Sequence, residues 1–222
     1  AMTTDTAGGT TNVAVGNYSL DALTSGDGNV GVGMETLSAT NTGRYNTAVG
    51  YRALYTNTDG DTNIAVGKEA VFHNTTGDDN IGIGNQALTT NVTGSNSVAI
   101  GTNALTSATG SNNTAIGRDA GNGLTSGQTN VLVGYNVDTA ANDNNNAICI
   151  GSDIISTSNR FSFGKTSNVV YNDFASDNSW TRSSDERKKT NIANATLGLD
   201  FINDLRTVTY KWKRSQDIPN TL

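Results

Sequence analysis

Few side chains in this sequence are equipped for chemistry. Cysteine and histidine occur once each, at Cys149 and His73, so one chain cannot supply an internal disulfide, a thiolate metal cluster, a histidine metal site or a Ser/His/Asp triad. The expected metal ligands and cofactor-binding residues are therefore none. Acids gather in one kind of turn, at Asp27, Asp59, Asp61, Asp78 and Asp79. Calcium needs several converging oxygen ligands and the glycine-rich calcium-roll pattern is absent, so these acids read as solvated turn tips. The remaining candidate is Ser183-Ser-Asp-Glu-Arg-Lys-Lys189. Serine is a poor nucleophile until a base takes its proton. A lysine can be that base in a Ser-Lys variant of the triad logic, provided that burial holds it neutral. The same residues also read as a capping box, Ser183-Ser-Asp-Glu186, opening a helix with solvated lysines.

Composition bounds what can position such groups. The 222 residues include 33 Thr, 30 Asn and 25 Gly but only one Pro, with a net charge of −6; this is a turn-rich β composition rather than a charged coil. Charged residues make up 15%, well below the ordinary ~25%. The pI near 4.6 argues against a phosphate-binding surface, so nucleic acid is not an expected partner. No apolar run approaches the ~18 residues of a membrane span, so no membrane insertion is expected. Residues 1–180 carry 6 basic and 15 acidic side chains, whereas 181–222 carry 8 and 5. That change of sign places a boundary near residue 180.

Self-similarity dominates the first part. Asn12-Val-Ala-Val-Gly16 returns as Asn29-Val-Gly-Val-Gly33, Asn46-Thr-Ala-Val-Gly50, Asn63-Ile-Ala-Val-Gly67 and Asn80-Ile-Gly-Ile-Gly84, and continues to Ala147-Ile-Cys-Ile-Gly151. The closing glycines are 17 residues apart, with one interval of 16 between Gly101 and Gly117. A second glycine series (26, 43, 60, 77, 94, 110, 127) keeps the same period, and an Ala-Leu pair recurs between the two. Seventeen residues are too few for two helices and enough for two short strands with two turns. Nine such coils stacked at the strand spacing of ~4.8 Å give a parallel β-roll or solenoid roughly 40 Å long.

Both faces of the anchor strand are apolar. The second and fourth slots hold Val, Ile or Thr, and the third holds Ala, Gly, Leu132 or Cys149. A strand apolar on both faces is normally covered on both. The expectation is that the β-branched slots stack inside the roll while the Ala/Gly face meets other copies, with a parallel homotrimer favoured for a rod. A monomer whose cramped interior takes the small face is the alternative. The asparagines at 12, 29, 46, 63, 80, 113 and 130 share one slot and should stack as an amide ladder.

The Asn-x-Ala-Val/Ile-Gly-x-x-Ala-Leu repeat over residues 12–151 resembles the β-roll heads of trimeric autotransporter adhesins and similar repeats of phage tail fibres, although the adhesin repeat is shorter. That resemblance implies a left-handed roll and a homotrimer. After the roll, Arg160-Phe-Ser-Phe-Gly164 through Val169-Val-Tyr171, Phe174 and Trp180 alternate aromatic with polar residues and read as a β neck. The resulting organisation is a lead-in (1–11), β-roll repeats (12–155), a neck (156–182) and an α+β C-terminal segment (183–222).

Ser184-Asp-Glu-Arg-Lys-Lys-Thr-Asn-Ile192, with Leu205-Arg-Thr-Val-Thr-Tyr-Lys-Trp212 downstream, resembles the endosialidase-type C-terminal intramolecular chaperone, a self-cleaving domain of phage tail fibres and tailspikes. The resemblance implies that Ser184 is the nucleophile, Lys189 the general base and Ser183-Ser184 the scissile bond. Position 188, usually apolar in that motif, is Lys here. It also implies that 183–222 is the start of a longer chaperone domain. The function so implied is a structural part of a virion tail fibre or spike, shaft or receptor-binding region, whose chaperone drives trimerisation and then cuts itself off. Its partners would be copies of itself and a host-cell receptor or glycan. The alternative is a trimeric adhesin on a bacterial cell surface. A turnover enzyme is not expected, since the repeats offer no fixed pair of carboxylates in a cleft.

Overall fold

The computed structural model describes residues 9–40, 42–174, 176 and 181–182. The chain divides into two compact units, Ala1–Ser184 and Asp185–Leu222, and the described residues all belong to the first. Each anchor motif becomes one short strand: β1 (Val13–Val15), β2 (Val30–Val32), β3 (Thr47–Val49), β4 (Ile64–Val66), β5 (Ile81–Ile83), β6 (Val98–Ile100) and β7 (Thr114–Ile116). Longer strands follow in β8 (Val131–Tyr135) and β10 (Ile148–Ser152), with the two-residue β9 (Asp138–Thr139) and β11 (Ile155–Ser156) between and after them. Consecutive anchors pair in parallel without slippage, Ala48 opposite Ala65 and Ala65 opposite Gly82. The fold is an all-β parallel solenoid of about nine turns.

The stack continues past the repeats. β12 (Arg160–Lys165) adds a further parallel strand beside β10, so that Ile148 and Ile150 stand opposite Phe161 and Phe163. The direction then reverses. β13 (Asn168–Asp173) pairs antiparallel with β12, and β14 (Thr181–Arg182) antiparallel with β13. A twelve-stranded sheet results, and its parallel part ends in the neck segment.

The other limb of each coil is not a second strand, contrary to the two-strand expectation; among the described residues only β9 and β11 pair there. In its place, alternate residues are left-handed: Arg52 (φ 55°) and Leu54 (φ 51°), Glu69 (53°) and Val71 (50°), Gln86 (56°) and Leu88 (55°). Such backbone costs about 1–2 kcal/mol per non-glycine residue. It is offset because alternate N–H groups then point to opposite neighbours. Arg52 donates back to the Met34 carbonyl (3.0 Å) while Leu54 donates forward to Ala70 (3.0 Å).

That limb fixes the interior. Leu20, Leu37, Leu54, Val71, Leu88 and Leu105 form a buried column beside a second one of Ala53, Ala70, Ala87 and Ala104. Little room remains opposite, so the third slot of the anchor strand faces inward as Ala or Gly. A methyl on Gly82 would lie 2.5 Å from Cγ2 of Val71. Where the leucine column is broken by Gly121, the third slot grows to Leu132, whose Cδ1 occupies the space over that glycine. Volume is conserved across the core, as close packing requires.

The predicted amide ladder is present. The Oδ1 atoms of Asn29, Asn46 and Asn63 accept the backbone N–H of Asn46 (3.0 Å), Asn63 (2.9 Å) and Asn80 (3.0 Å), and each Nδ2 donates to the glycine carbonyl fourteen residues on, for example Asn63 to Gly77 (2.8 Å). The rungs from Asn29 to Asn130 are buried. Asn63→Ala leaves the buried Asn80 N–H without its acceptor, while the Gly77 carbonyl keeps the Asn74 Nδ2 donor (2.8 Å); it is expected to cost about 1–3 kcal/mol, read as a lower midpoint in denaturant titration.

Candidate functional site

The exposed face of the anchor sheet is the principal surface feature. The third slot is fully buried at Ala48, Ala65, Ala99, Ala115, Leu132 and Cys149, whereas Ile83 and Ile100 in the fourth slot are 37% and 36% exposed. This corrects the expected assignment of faces. The small residues line the interior, because the leucine limb leaves space for nothing larger, and the β-branched residues look outward. The second and fourth slots from β1 to β12 contain only Val, Ile, Thr and Phe. Ten parallel strands therefore carry a charge-free stripe two side chains wide and roughly 43 Å long at ~4.8 Å per strand. Contiguous apolar surface on this scale marks interaction sites on soluble proteins.

The rims of the stripe are polar and engaged within the chain. Lys68 pairs with Glu69 (3.7 Å), and Arg118 with Asp119 (3.4 Å) and over the Tyr135 ring (4.6 Å). On the left-handed limb, Arg52 bonds Glu35 (2.5 Å) and lies over Tyr51 and Tyr55, while Tyr55 stacks on Phe72 at 5.1 Å.

The acidic turns are tied into the stack. Oδ1 of Asp27 accepts the backbone N–H of Thr10 (2.6 Å), that of Asp61 the N–H of Arg44 (2.7 Å) and that of Asp78 the N–H of Asp61 (2.8 Å). The Thr10 amide and, secondarily, its hydroxyl hold the Asp27 carboxyl below the usual carboxylate range. These acids thus act as side-chain rungs between coils, a role their solvated reading missed; their 17-residue recurrence was the available signal. Among the described residues no group of three or more His, Cys, Asp or Glu side chains could hold a metal ion.

Cys149 is buried in the third slot, its Sγ 3.7 Å from the Ile154 carbonyl oxygen. Burial pushes its thiol up to about 12, with the nearby Asp138 charge adding to the effect, so it is a neutral packing residue. His73 is exposed, edge-on to Phe72 at 4.6 Å. Ser183, Ser184, Lys188 and Lys189 lie outside the described residues, as does the expected helix after the capping box; the last described strand, β14, ends at Arg182.

Residues 184–221 match the sequence model of the family described as chaperone of endosialidase. The match falls on the segment for which the Ser184–Ile192 motif predicts that family. No curated protein and no solved structure matches the chain.

Proposed function

We propose that this chain is part of a viral tail fibre or tailspike: a homotrimeric β-solenoid, serving as shaft or receptor-binding region in the virion, joined to a chaperone that aligns three copies and then releases itself. The observation that carries the reading is the charge-free Val/Ile stripe along the anchor sheet. It is too long and too apolar for an isolated chain, and a cyclic assembly of parallel rods covers it with equivalent stripes. The match of residues 184–221 to a chaperone family supports the same reading.

In the release step, Oγ of Ser184 adds to the carbonyl carbon of Ser183 while neutral Lys189 takes the hydroxyl proton. The C–N bond of the Ser183-Ser184 peptide breaks, and the lysine returns its proton to the departing Ser184 nitrogen. Water then hydrolyses the Ser183 ester, leaving a carboxylate on Ser183 and restoring the Ser184 hydroxyl.

The assembly is tested on its surface. Val66→Lys with Ile100→Lys puts two charges per chain into the stripe, where like charges from three copies meet without partners. Sedimentation should show single chains with the circular dichroism of the parent. A double variant still assembled like the parent would move the interface elsewhere.

A further inference from the structure

The stripe that would hold copies together is nearly the same in every coil, and a uniform surface cannot fix its own axial register. The fourth slot reads Val32, Val49 and Val66, then Ile83, Ile100 and Ile116. One chain displaced by a single coil, ~4.8 Å, would gain or lose at most one methylene at a contact along this fourth slot, and along the second slot would exchange only Val, Ile and Thr, β-branched side chains of similar size. Of ten parallel strands, only the terminal one would lose its neighbour. The rims add little discrimination, since Lys68 and Arg118 are committed to partners in their own chain and exposed pairs contribute weakly.

One rung differs. In β12 the two outward slots are Phe161 and Phe163, with ring centroids 5.6 Å apart and Phe163 40% exposed. It is the last parallel strand before the sheet reverses into β13. A displaced copy would set these rings against Ile148 and Ile150, the residues opposite them in the neighbouring strand, forcing larger side chains into a contact shaped for smaller ones.

We infer that the Phe161–Phe163 rung is the register mark of the assembly: it sets the axial alignment of the copies at the C-terminal end of the parallel stack, and the repeats above it only propagate that alignment. This rests on the homotrimer reading and says which part of the shared face is specific. It also places the alignment at the end of the roll nearest in sequence to the chaperone.

Disulfide trapping tests it in the full chain, with Cys149→Ala as background. Chains carrying Val66→Cys are co-produced with chains carrying Ile83→Cys, oxidised, and their crosslinked peptides identified by mass spectrometry. In true register a 66–83 pair is offset by a full coil, beyond the ~3.5–4.5 Å Cβ separation of a disulfide, so links join equal numbers only. With Phe161→Val and Phe163→Val added, mixed 66–83 links should rise from background to a share comparable with equal-number links. Adding Ile148→Phe and Ile150→Phe to that variant moves the aromatic rung up one coil and should return mixed links to background, which shows that the valines did not merely spoil folding. Mixed links that stay at background in an assembled Phe161→Val/Phe163→Val protein would overturn the inference alone. A parent that sediments as single chains would overturn the homotrimer reading and the register mark with it.

Discussion

Ala65→Glu is expected to abolish the solenoid, whereas Val66→Lys, one residue away, is expected to leave it folded. Ala65 is fully buried, between Ala48 and Gly82 of the flanking strands and under the leucine limb. A carboxylate there has neither water nor a cationic partner, and an unpaired buried charge costs several kcal/mol. The longer side chain must also displace packed neighbours. Each coil contacts only the coils beside it, so a broken rung interrupts the stack at its middle. Since whole domains hold only ~5–15 kcal/mol, loss of the cooperative melting transition is the expected readout. Gly84→Ala should act similarly by another route: the residue sits at φ +137° and its new methyl would lie 2.5 Å from the Gly101 carbonyl oxygen. An Ala65→Glu protein that melts like the parent would mean that the small face is outside.

The protein is expected to split into a fragment ending at Ser183 and one beginning at Ser184. Ser184→Ala removes the proposed nucleophile and Lys189→Ala the proposed base, so each should leave the chain whole while assembly persists. Lys188→Ala should cleave as the parent does. Gel electrophoresis with intact mass measurement reads all three. Cleavage persisting in Ser184→Ala would sink the mechanism, and cleavage lost only in Lys188→Ala would shift the base by one residue. In the proposed function, a chaperone that aligns three rods lowers the entropy cost of pairing distant surfaces, and after its release slow unfolding would preserve the assembly.

The anchor strands, their parallel order and the Asn29–Asn46–Asn63 ladder were legible because a 17-residue period returns each residue type to the same place. Which face turned inward was not. Both faces are apolar, and the deciding quantity is the width left by Leu54 and its equivalents, a tertiary property that no single strand encodes. The left-handed limb was hidden for a related reason. Leucine and valine rarely take positive φ, so Leu54 and Val71 gave no sign of it. One glycine did: Gly121 (φ +65°) stands in the leucine column, whereas Gly28 (φ +67°) marks a separate left-handed slot, shared with Tyr45 and Thr62, in the turn before the anchor strand. Leu132, an oversized residue in a column of alanines, was the complementary clue to Gly121. The Ser184 and Lys189 roles came from likeness to a family motif and from nothing in the periodicity.

The central claim, that copies of this chain meet along their Val/Ile stripes, is tested most directly by the native mass of the purified protein. Light scattering should return three times the mass of one solenoid-bearing chain for the parent and a single chain mass for Val66→Lys/Ile100→Lys. A parent with the mass of one chain would contradict the account.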